Sequence, residues 1–177
     1  MKGSTEVIYY CEMDSKVGPI TIASTKKGVC WLEFGYNEKT INLLKIWAKK
    51  WMNTDQVIKG QDELDEAKKQ LTEYFNKERE KFELEIDFYG TPFQKLVWES
   101  LLAIPYGEVR SYKDIALLIN DSKSVRAIGG ANHNNPIPII VPCHRVIGSN
   151  GNLVGYGGGI KIKQFLLELE GYIKTTI

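Results

Sequence analysis

The 177-residue chain is poor in the residues that build disulfides and metal centres. Its three cysteines, Cys11, Cys30 and Cys143, form no Cys-x-x-Cys pair and cannot all be joined in disulfides within one chain. Such sparse use of cysteine is typical of a reducing compartment and predicts a cytoplasmic location. The only histidines are His133 and His144, so we expect no zinc or other metal site, and no cofactor is indicated.

Long apolar runs are also missing. No segment approaches the roughly 20 apolar residues that cross a bilayer, and the N-terminus has no apolar signal core. We therefore predict no membrane partner. The net charge is only +1, but the segment 110–163 holds seven basic residues against two acidic ones, a local charge of +5: Arg110, Lys113, Lys123, Arg126, Arg145, Lys161 and Lys163 against Asp114 and Asp121. This cluster indicates a polyanionic partner, although on charge alone a solvated surface is the simpler explanation.

The apolar spacing predicts an α+β protein of two domains. Residues 1–88 are expected to form an N-terminal domain with a small antiparallel sheet plus helices. Alternating or helical periodicity predicts strands at 7–10, 20–22, 29–34 and 82–88, and helices at 40–51 and 62–75. No catalytic group of residues falls in this part of the chain.

Residues 89–177 are expected to form a mainly helical C-terminal domain. Thr91 and Pro92 are suited to begin its first helix. Two short helices follow, the first capped by Ser111 and the second at about 124–132, with the spacing of a helix-turn-helix.

The second of these helices carries Arg126, Gly130 and His133 on its outer side. Its adjacent glycines, Gly129 and Gly130, each cost about 1 kcal/mol relative to alanine inside a helix, so we expect another backbone to approach closely there. That backbone belongs either to DNA, with Arg126 directed at it, or to a neighbouring helix of the fold. The helix pattern by itself does not decide between them.

The segment 134–146 contains three prolines, which fix the backbone φ angle. The β-branched residues 139–141 between them predict a short, buried, extended segment. It leads to Cys143, which is followed directly by His144. A rigid backbone beneath a thiol suits a nucleophile held in one place; a structural turn with a buried cysteine is the alternative.

Two further features follow this segment. The glycine-rich loop 155–159 has the small side chains and free N–H groups of a loop that wraps a flat ligand, and it is not a phosphate loop because no Gly-Lys-Ser/Thr follows. A last helix is predicted at about 160–170. The macrodipole opposes a carboxylate at its C-terminus, so Glu170 is expected to have a role other than helix stability.

Residues 137–146, Ile-Pro-Ile-Ile-Val-Pro-Cys-His-Arg-Val, resemble the active-site signature of the O6-alkylguanine-DNA alkyltransferases, which are suicide DNA-repair methyltransferases. Five further blocks match that family in order and spacing: Thr91–Phe93, Pro105–Tyr112, Arg126–Ala131, Asn135–Pro136 and Leu166–Gly171. The resemblance covers about residues 90–171, whereas residues 1–89 resemble the family's variable N-terminal domain only in the order of strands and helices. It implies DNA repair by irreversible, single-turnover transfer of an alkyl group from O6-alkylguanine to the protein's own cysteine, after nucleotide flipping.

The resemblance also implies the catalytic residues. Cys143 would take the alkyl group by in-line displacement, His144 would deprotonate it through a water, and Glu170 would orient the imidazole. An ordinary thiol has a pKa of about 8.5 and is mostly neutral at pH 7, so a base is needed. The thioether product is a poor leaving group, so each molecule would act once.

Substrate contacts are implied in the same way. Tyr112 would donate to the base ring and the Gly157 N–H to O6, which stabilises the charge that develops on the leaving guanine. The backbone carbonyls of Cys143 and Val146 would accept from the exocyclic amine.

Other residues would shape the pocket and open the duplex. Tyr156 and Gly158 would line the pocket, and Asn135 would tie the helix-turn-helix to the active-site turn. Arg126 would fill the stack vacated by the flipped nucleotide.

The implied partner is double-stranded alkylated DNA, bound through its minor groove by a monomer, with little sequence preference and strong salt dependence. Gly129, Gly130 and Ala131 would permit close contact with the groove. His133 departs from the family pattern and leaves the local DNA contact open. The alternatives are a non-catalytic alkylated-DNA sensor, against which Cys143 argues, a helix-turn-helix regulator, and a turnover hydrolase.

Overall fold

The computed structural model describes residues 6–60 and 62–174. The chain divides into two compact units, Met1–Tyr89 and Gly90–Ile177. Small sheets and helices make up both units, which confirms the predicted α+β class. Within the described residues, no helix is long and apolar enough to cross a membrane, and no group of three or more His, Cys, Asp or Glu side chains could hold a metal ion.

A four-stranded sheet with the strand order β3-β2-β1-β4 forms the centre of the first unit. Its strands are β1 (Ile8–Met13), β2 (Ile20–Thr25), β3 (Gly28–Phe34) and β4 (Val57–Lys59). The first three pair antiparallel, as predicted. The short β4 was not predicted and pairs parallel to β1, with Val57 opposite Ile8. The sheet is therefore mixed, because helix α1 (Glu38–Met52) crosses from the β3 edge to the opposite edge.

The core of this unit lies between the sheet and α1. Asn37 begins the helix by accepting a hydrogen bond from the Thr40 N–H at 3.0 Å. The buried residues of this core come from both elements: Ile8, Ala23, Cys30, Trp31, Leu44 and Ala48. Cys30 is thus a packing residue, and helix α2 (Asp65–Phe75) completes the unit.

The segment 82–88, predicted as a strand, does not form one. Only Ile86 makes a β-bridge, to Val29. Its apolar alternation reflects one-sided packing instead, since the ring of Phe82 lies 5.3 Å from that of Tyr74. The backbone of this segment is hydrogen-bonded to β3 at one residue: the Val29 N–H donates to the Glu85 carbonyl and the Val29 carbonyl accepts from the Asp87 N–H, each at 2.9 Å.

The second unit contains α3 (Pro92–Leu102), β5 (Arg110–Ser111), α4 (Tyr112–Leu118), α5 (Val125–His133), β6 (Val146–Ile147) and α6 (Ile160–Leu169). The predicted helix starts are present. Thr91 forms a capping box with Gln94 at the start of α3, and Ser111 forms one with Asp114 at the start of α4. Helices α4 and α5 make the helix-turn-helix.

Two long-range contacts place α5 and the segment after Cys143 in this unit. The buried Trp98 of α3 donates its indole N–H to the carbonyl of Ala131 in α5 at 2.8 Å. Strand β6 pairs parallel to β5, with Val146 opposite Arg110. The residues that follow Cys143 are thereby aligned with the start of α4.

Candidate active site

The chain between 136 and 146 is a buried, hydrogen-bonded turn and not the extended segment predicted from its β-branched residues. Ile139 has a φ of 75°, a left-handed conformation that is rare for a β-branched residue. Pro142 (φ −82°, ψ 62°) lies in an inverse γ-turn, which the Cys143 N–H closes by donating to the Val141 carbonyl at 2.8 Å. A left-handed residue costs about 1–3 kcal/mol, so the surrounding contacts must hold this turn in place.

Asn135 supplies two of those contacts. Its Nδ2 donates to the Val141 carbonyl at 2.8 Å, and its Oδ1 accepts from the Ile137 N–H at 3.0 Å. The side chain is buried and follows α5 by two residues. The structure therefore places Asn135 where the helix-turn-helix meets the active-site turn.

Cys143 begins a 3-10 turn, and only 3% of its surface is exposed. Burial raises the pKa of its thiol to about 11, although hydrogen bonding from Asn135 and the positive charge of Lys163 act in the opposite direction. The resting thiol is thus protonated near neutral pH. A base must remove the proton before the sulfur can act as a nucleophile.

His144 lies beside it, completely buried, with Nε2 at 2.7 Å from Oε1 of Glu170. Burial lowers the pKa of His144, while the hydrogen bond and charge of Glu170 act to raise it. The imidazole is therefore neutral at pH 7, and a ring that donates from Nε2 presents Nδ1 as an acceptor. This Nδ1 is buried and has no hydrogen-bond partner in the part of the chain that the structure describes, so it is available as a base.

Glu170 is the C-cap residue of α6, and its carboxylate is hydrogen-bonded to both His144 and Arg145. Arg145 donates to its carboxylate from Nε at 2.9 Å and from Nη2 at 3.0 Å, and the Gly107 N–H donates at 3.2 Å. Burial raises the pKa of this carboxyl, but hydrogen bonds and charges from His144 and Arg145 outweigh it and lower the pKa to about 2. The positive charge of the guanidinium offsets the free-energy cost of burying the carboxylate and of placing it at the negative end of the helix macrodipole.

Lys163 is a site residue that the sequence analysis missed. It is completely buried, and its ammonium donates to the Val154 carbonyl at 2.8 Å and to the Val146 carbonyl. Burial lowers its pKa to about 8, opposed by the Cys143 thiol. Its spacing in the sequence could have indicated this position, because Lys163 precedes Leu166 by three residues and so lies on the same, buried side of α6.

Asn132 is a second site residue that the sequence did not indicate. It is 3% exposed, and its Nδ2 donates to the Cys143 carbonyl at 3.3 Å. Burial raises the pKa of Tyr112, as does the negative charge of Cys143 when its thiol is ionised, and a hydrogen bond from Asn132 lowers it. The Tyr112 hydroxyl also donates to the Val154 carbonyl at 3.3 Å. Asn132 and Tyr112 therefore both lie close to Cys143.

The glycine-rich loop passes beside this group. Tyr156 is buried, Gly157 is exposed and Gly158 is half-buried. A Cβ added at Gly155 would lie 3.5 Å from the Tyr112 hydroxyl in α4. A Cβ added at Gly157 would lie 3.7 Å from the carbonyl oxygen of His133, the last residue of α5. The loop therefore lies next to both helices of the helix-turn-helix.

The two carbonyls expected to accept from a guanine amine already have donors. The Cys143 carbonyl accepts from the Val146 N–H and from Asn132. The Val146 carbonyl accepts from Lys163. A carbonyl oxygen has two lone pairs. Both lone pairs of the Cys143 carbonyl are therefore in use, and the Val146 carbonyl can accept one more hydrogen bond.

The outer side of α5 is exposed at Arg126, Gly130 and His133, as expected. A Cβ at Gly129 or Gly130 would meet no atom of the described residues within 4 Å. Packing against a neighbouring helix therefore does not account for the two glycines. Ala131, expected at the DNA surface, is buried instead, because the i+3 spacing from Ile128 turns it towards Trp98.

Comparison with known proteins gives the family of both units. Residues 92–172 match the DNA-binding domain of the 6-O-methylguanine DNA methyltransferases. Residues 8–88 match the ribonuclease-like domain of the same enzymes.

Complete relatives agree with this match. The methylated-DNA–protein-cysteine methyltransferase of Methanosarcina barkeri is 45% identical over 92% of this chain and 97% of the relative. The inducible enzyme of that name from Bacillus subtilis is 40% identical over 96% and 94%. The crystal structure of the Mycobacterium tuberculosis O6-methylguanine methyltransferase superimposes with a TM-score of 0.79 at 40% identity, over 96% of this chain and 97% of that one. The same organism's OGT in complex with DNA gives 0.78 at 42% identity, over 92% of each chain. The chain belongs to the 6-O-methylguanine DNA methyltransferase family.

Proposed function

We propose that this chain repairs DNA by moving the alkyl group of O6-alkylguanine onto Cys143 in one irreversible turnover. Its family membership supports the reaction class. One observation carries the assignment of Cys143 as the alkyl acceptor. The residue that directly follows this free cysteine, His144, is buried and lies 2.7 Å from the carboxylate of Glu170.

In the proposed step, the Sγ–C bond forms as the C–O6 bond breaks. The thiol proton passes to Nδ1 of His144 through a water, and the resulting imidazolium is stabilised by the ionised Glu170. The leaving guanine anion takes up a proton from water, and the imidazolium returns its proton to water, so that neutral guanine and neutral His144 remain. The thioether at Cys143 is not hydrolysed, so the reaction ends there.

The substrate would be held by residues around the thiol. We assign Tyr112 as a donor to the base ring, because its side chain interacts with Cys143 and Asn132, and the Gly157 N–H as a donor to O6, because Gly157 lies beside the end of α5. Tyr156 and Gly158 would line the pocket. Val146 offers the remaining lone pair of its carbonyl to the exocyclic amine.

DNA would be bound as a duplex through its minor groove, by one copy of the chain and with little sequence preference. The surface at the half-buried Gly129 and the exposed Gly130 supports contact with the groove, since a Cβ at either position would meet no described atom within 4 Å. Arg126 would occupy the stack of the flipped nucleotide. We expect this to take place in the cytoplasm, where free cysteines such as those found here persist.

Intact-mass measurement tests the proposal. Mixing the chain with excess duplex containing O6-methylguanine should add one methyl group per molecule, and peptide mapping should place it on Cys143. Cys143→Ala is the matched control and should gain nothing. Unchanged protein mass with continuing release of methanol would instead indicate a hydrolase, and binding without transfer would indicate a sensor or a regulator. The comparisons favour the methyltransferase over both of the latter.

A further inference from the structure

The side-chain amide of Asn132 makes a hydrogen bond through its nitrogen but not through its oxygen. Its Nδ2 donates to the Cys143 carbonyl at 3.3 Å. Its Oδ1 is buried and has no hydrogen-bond partner within residues 6–60 and 62–174. The assignment of nitrogen and oxygen follows from the neighbour: a carbonyl only accepts, so the amide nitrogen must face Cys143.

A buried acceptor without a donor carries a cost. Leaving such an oxygen unsatisfied disfavours the folded state by about 1–3 kcal/mol, and native proteins contain few such atoms. An apolar residue at position 132 would avoid this cost in the unliganded protein. The oxygen therefore indicates a ligand whose donor reaches it.

The acceptors around Cys143 show which donor is missing. The Cys143 carbonyl already takes the Val146 N–H and Asn132 Nδ2, and the Val146 carbonyl takes the Lys163 ammonium. Among these oxygens, Asn132 Oδ1 is the one that has no donor in the described chain. O6-alkylguanine carries no proton on N1, so its exocyclic 2-amino group is the donor that its base edge offers.

We infer that Asn132 is a specificity residue whose Oδ1 accepts a hydrogen bond from the 2-amino group of the flipped alkylguanine. This inference rests on the proposed function. It assigns to α5, the helix expected at the DNA, a direct role in selecting the base: a pyrimidine, or a purine without the amino group, leaves Oδ1 unsatisfied.

A substrate lacking only the amino group tests this directly. Single-turnover transfer is measured by intact mass with two otherwise identical duplexes, one containing O6-methylguanine and one containing O6-methylhypoxanthine. The wild-type chain should react roughly tenfold or more faster with the guanine substrate, the size expected for a buried acceptor left unpaired. In Asn132→Leu this ratio should fall several-fold, because the rate with guanine drops towards the rate with the other substrate, and any preference that remains is due to the Val146 carbonyl.

Controls separate base reading from a purely structural role. Asn134→Leu removes a neighbouring, exposed amide whose Nδ2 donates to the Gly130 carbonyl, and it should keep the wild-type ratio. Asn132→Ala introduces no bulk and should give the same loss of preference if the leucine variant does not fold. Equal slowing of both substrates in the Asn132 variants would overturn the inference.

Wild-type results distinguish the two levels of the proposal. Equal rates with both substrates would overturn the role of Asn132 while leaving methyl transfer to Cys143 intact. A wild-type chain that gains no methyl group from O6-methylguanine would overturn the proposed function itself.

Discussion

At the scale of single residues, the active site depends on charges that are buried together. Glu170 is ionised inside the protein because the imidazole of His144 and the guanidinium of Arg145 both contact its carboxylate. A buried ion is costly unless its partners are in place. These residues therefore contribute to the stability of the second unit as well as to its proposed chemistry.

The first prediction concerns Glu170→Gln. The change leaves Arg145 buried without its counter-ion, and we expect the free energy of unfolding to fall by about 3–5 kcal/mol at pH 7. Urea denaturation measures this. Glu168→Gln, in the same helix, is the control and should change stability by no more than about 0.5 kcal/mol.

The same variant gives a prediction about acid. The folded-state pKa of Glu170 is lowered to about 2, so its stabilisation is present above the unfolded-state pKa of about 4.3 and is lost as pH falls from there towards 2. The stability difference between the wild-type chain and Glu170→Gln should therefore shrink across this range. A difference that stays constant down to pH 2 would show that the carboxylate charge is not the source of the stabilisation.

The second residue-scale prediction concerns the rate of methyl transfer. The proposed base is neutral His144, and burial lowers its pKa, so the neutral form persists to lower pH than for an ordinary histidine. We expect the midpoint of the pH profile of the single-turnover rate constant to lie below 6.5, the ordinary histidine pKa. Rapid-quench measurements from pH 5 to 8 test this. A midpoint above 6.5 would contradict it.

At the scale of secondary-structure elements, the site is held by side chains that cross between segments. Lys163 of α6 connects the Val146 carbonyl of β6 with the Val154 carbonyl before the glycine-rich loop. Asn135 and Asn132 connect the end of α5 with the turn at Cys143. The loops around the thiol are therefore positioned by polar residues of the flanking helices.

Lys163→Met tests this arrangement. Methionine keeps most of the apolar stem but leaves two carbonyls without their donor, at about 1–3 kcal/mol for each buried group. Amide hydrogen exchange at Gly159, whose N–H donates to the Tyr156 carbonyl at 3.0 Å, should accelerate by about tenfold or more. Lys161→Met, an exposed position in the same helix, should leave this exchange unchanged. Equal protection in both variants would mean that Lys163 does not hold the loop.

At the scale of the whole molecule, all the proposed site residues belong to the second unit, Gly90–Ile177. Five of the seven basic residues between 110 and 163 are exposed in this unit, whereas Arg145 and Lys163 are buried. The first unit contributes its own sheet and core, and none of the proposed catalytic residues. Binding of DNA should therefore show the electrostatic behaviour of a basic surface.

The corresponding prediction is a strong salt dependence. Even two phosphate contacts would reduce the affinity for unmodified duplex DNA about tenfold between roughly 50 and 200 mM salt. Fluorescence anisotropy with several unrelated sequences measures both this slope and the expected lack of sequence preference. An affinity that does not change with salt would contradict binding through backbone phosphates.

Local signals in the sequence determined much of this protein. The helix starts at Thr91 and Ser111 were predictable because a capping side chain bonds to an N–H only three residues away. The α+β class was predictable from the apolar periodicity. Cys143, His144 and Glu170 were predicted as site residues from sequence motifs and their spacing. Each of these depends on residues close together in the chain.

Tertiary structure alone decided the rest. The parallel pairing of β4, the left-handed Ile139 and the inward position of Ala131 each depend on contacts with distant segments. Lys163 and Asn132 became recognisable as site residues only when their polar atoms were seen next to carbonyls far along the chain. Burial and hydrogen bonding between distant residues give these side chains their roles, and neither quantity can be read from neighbours in the sequence.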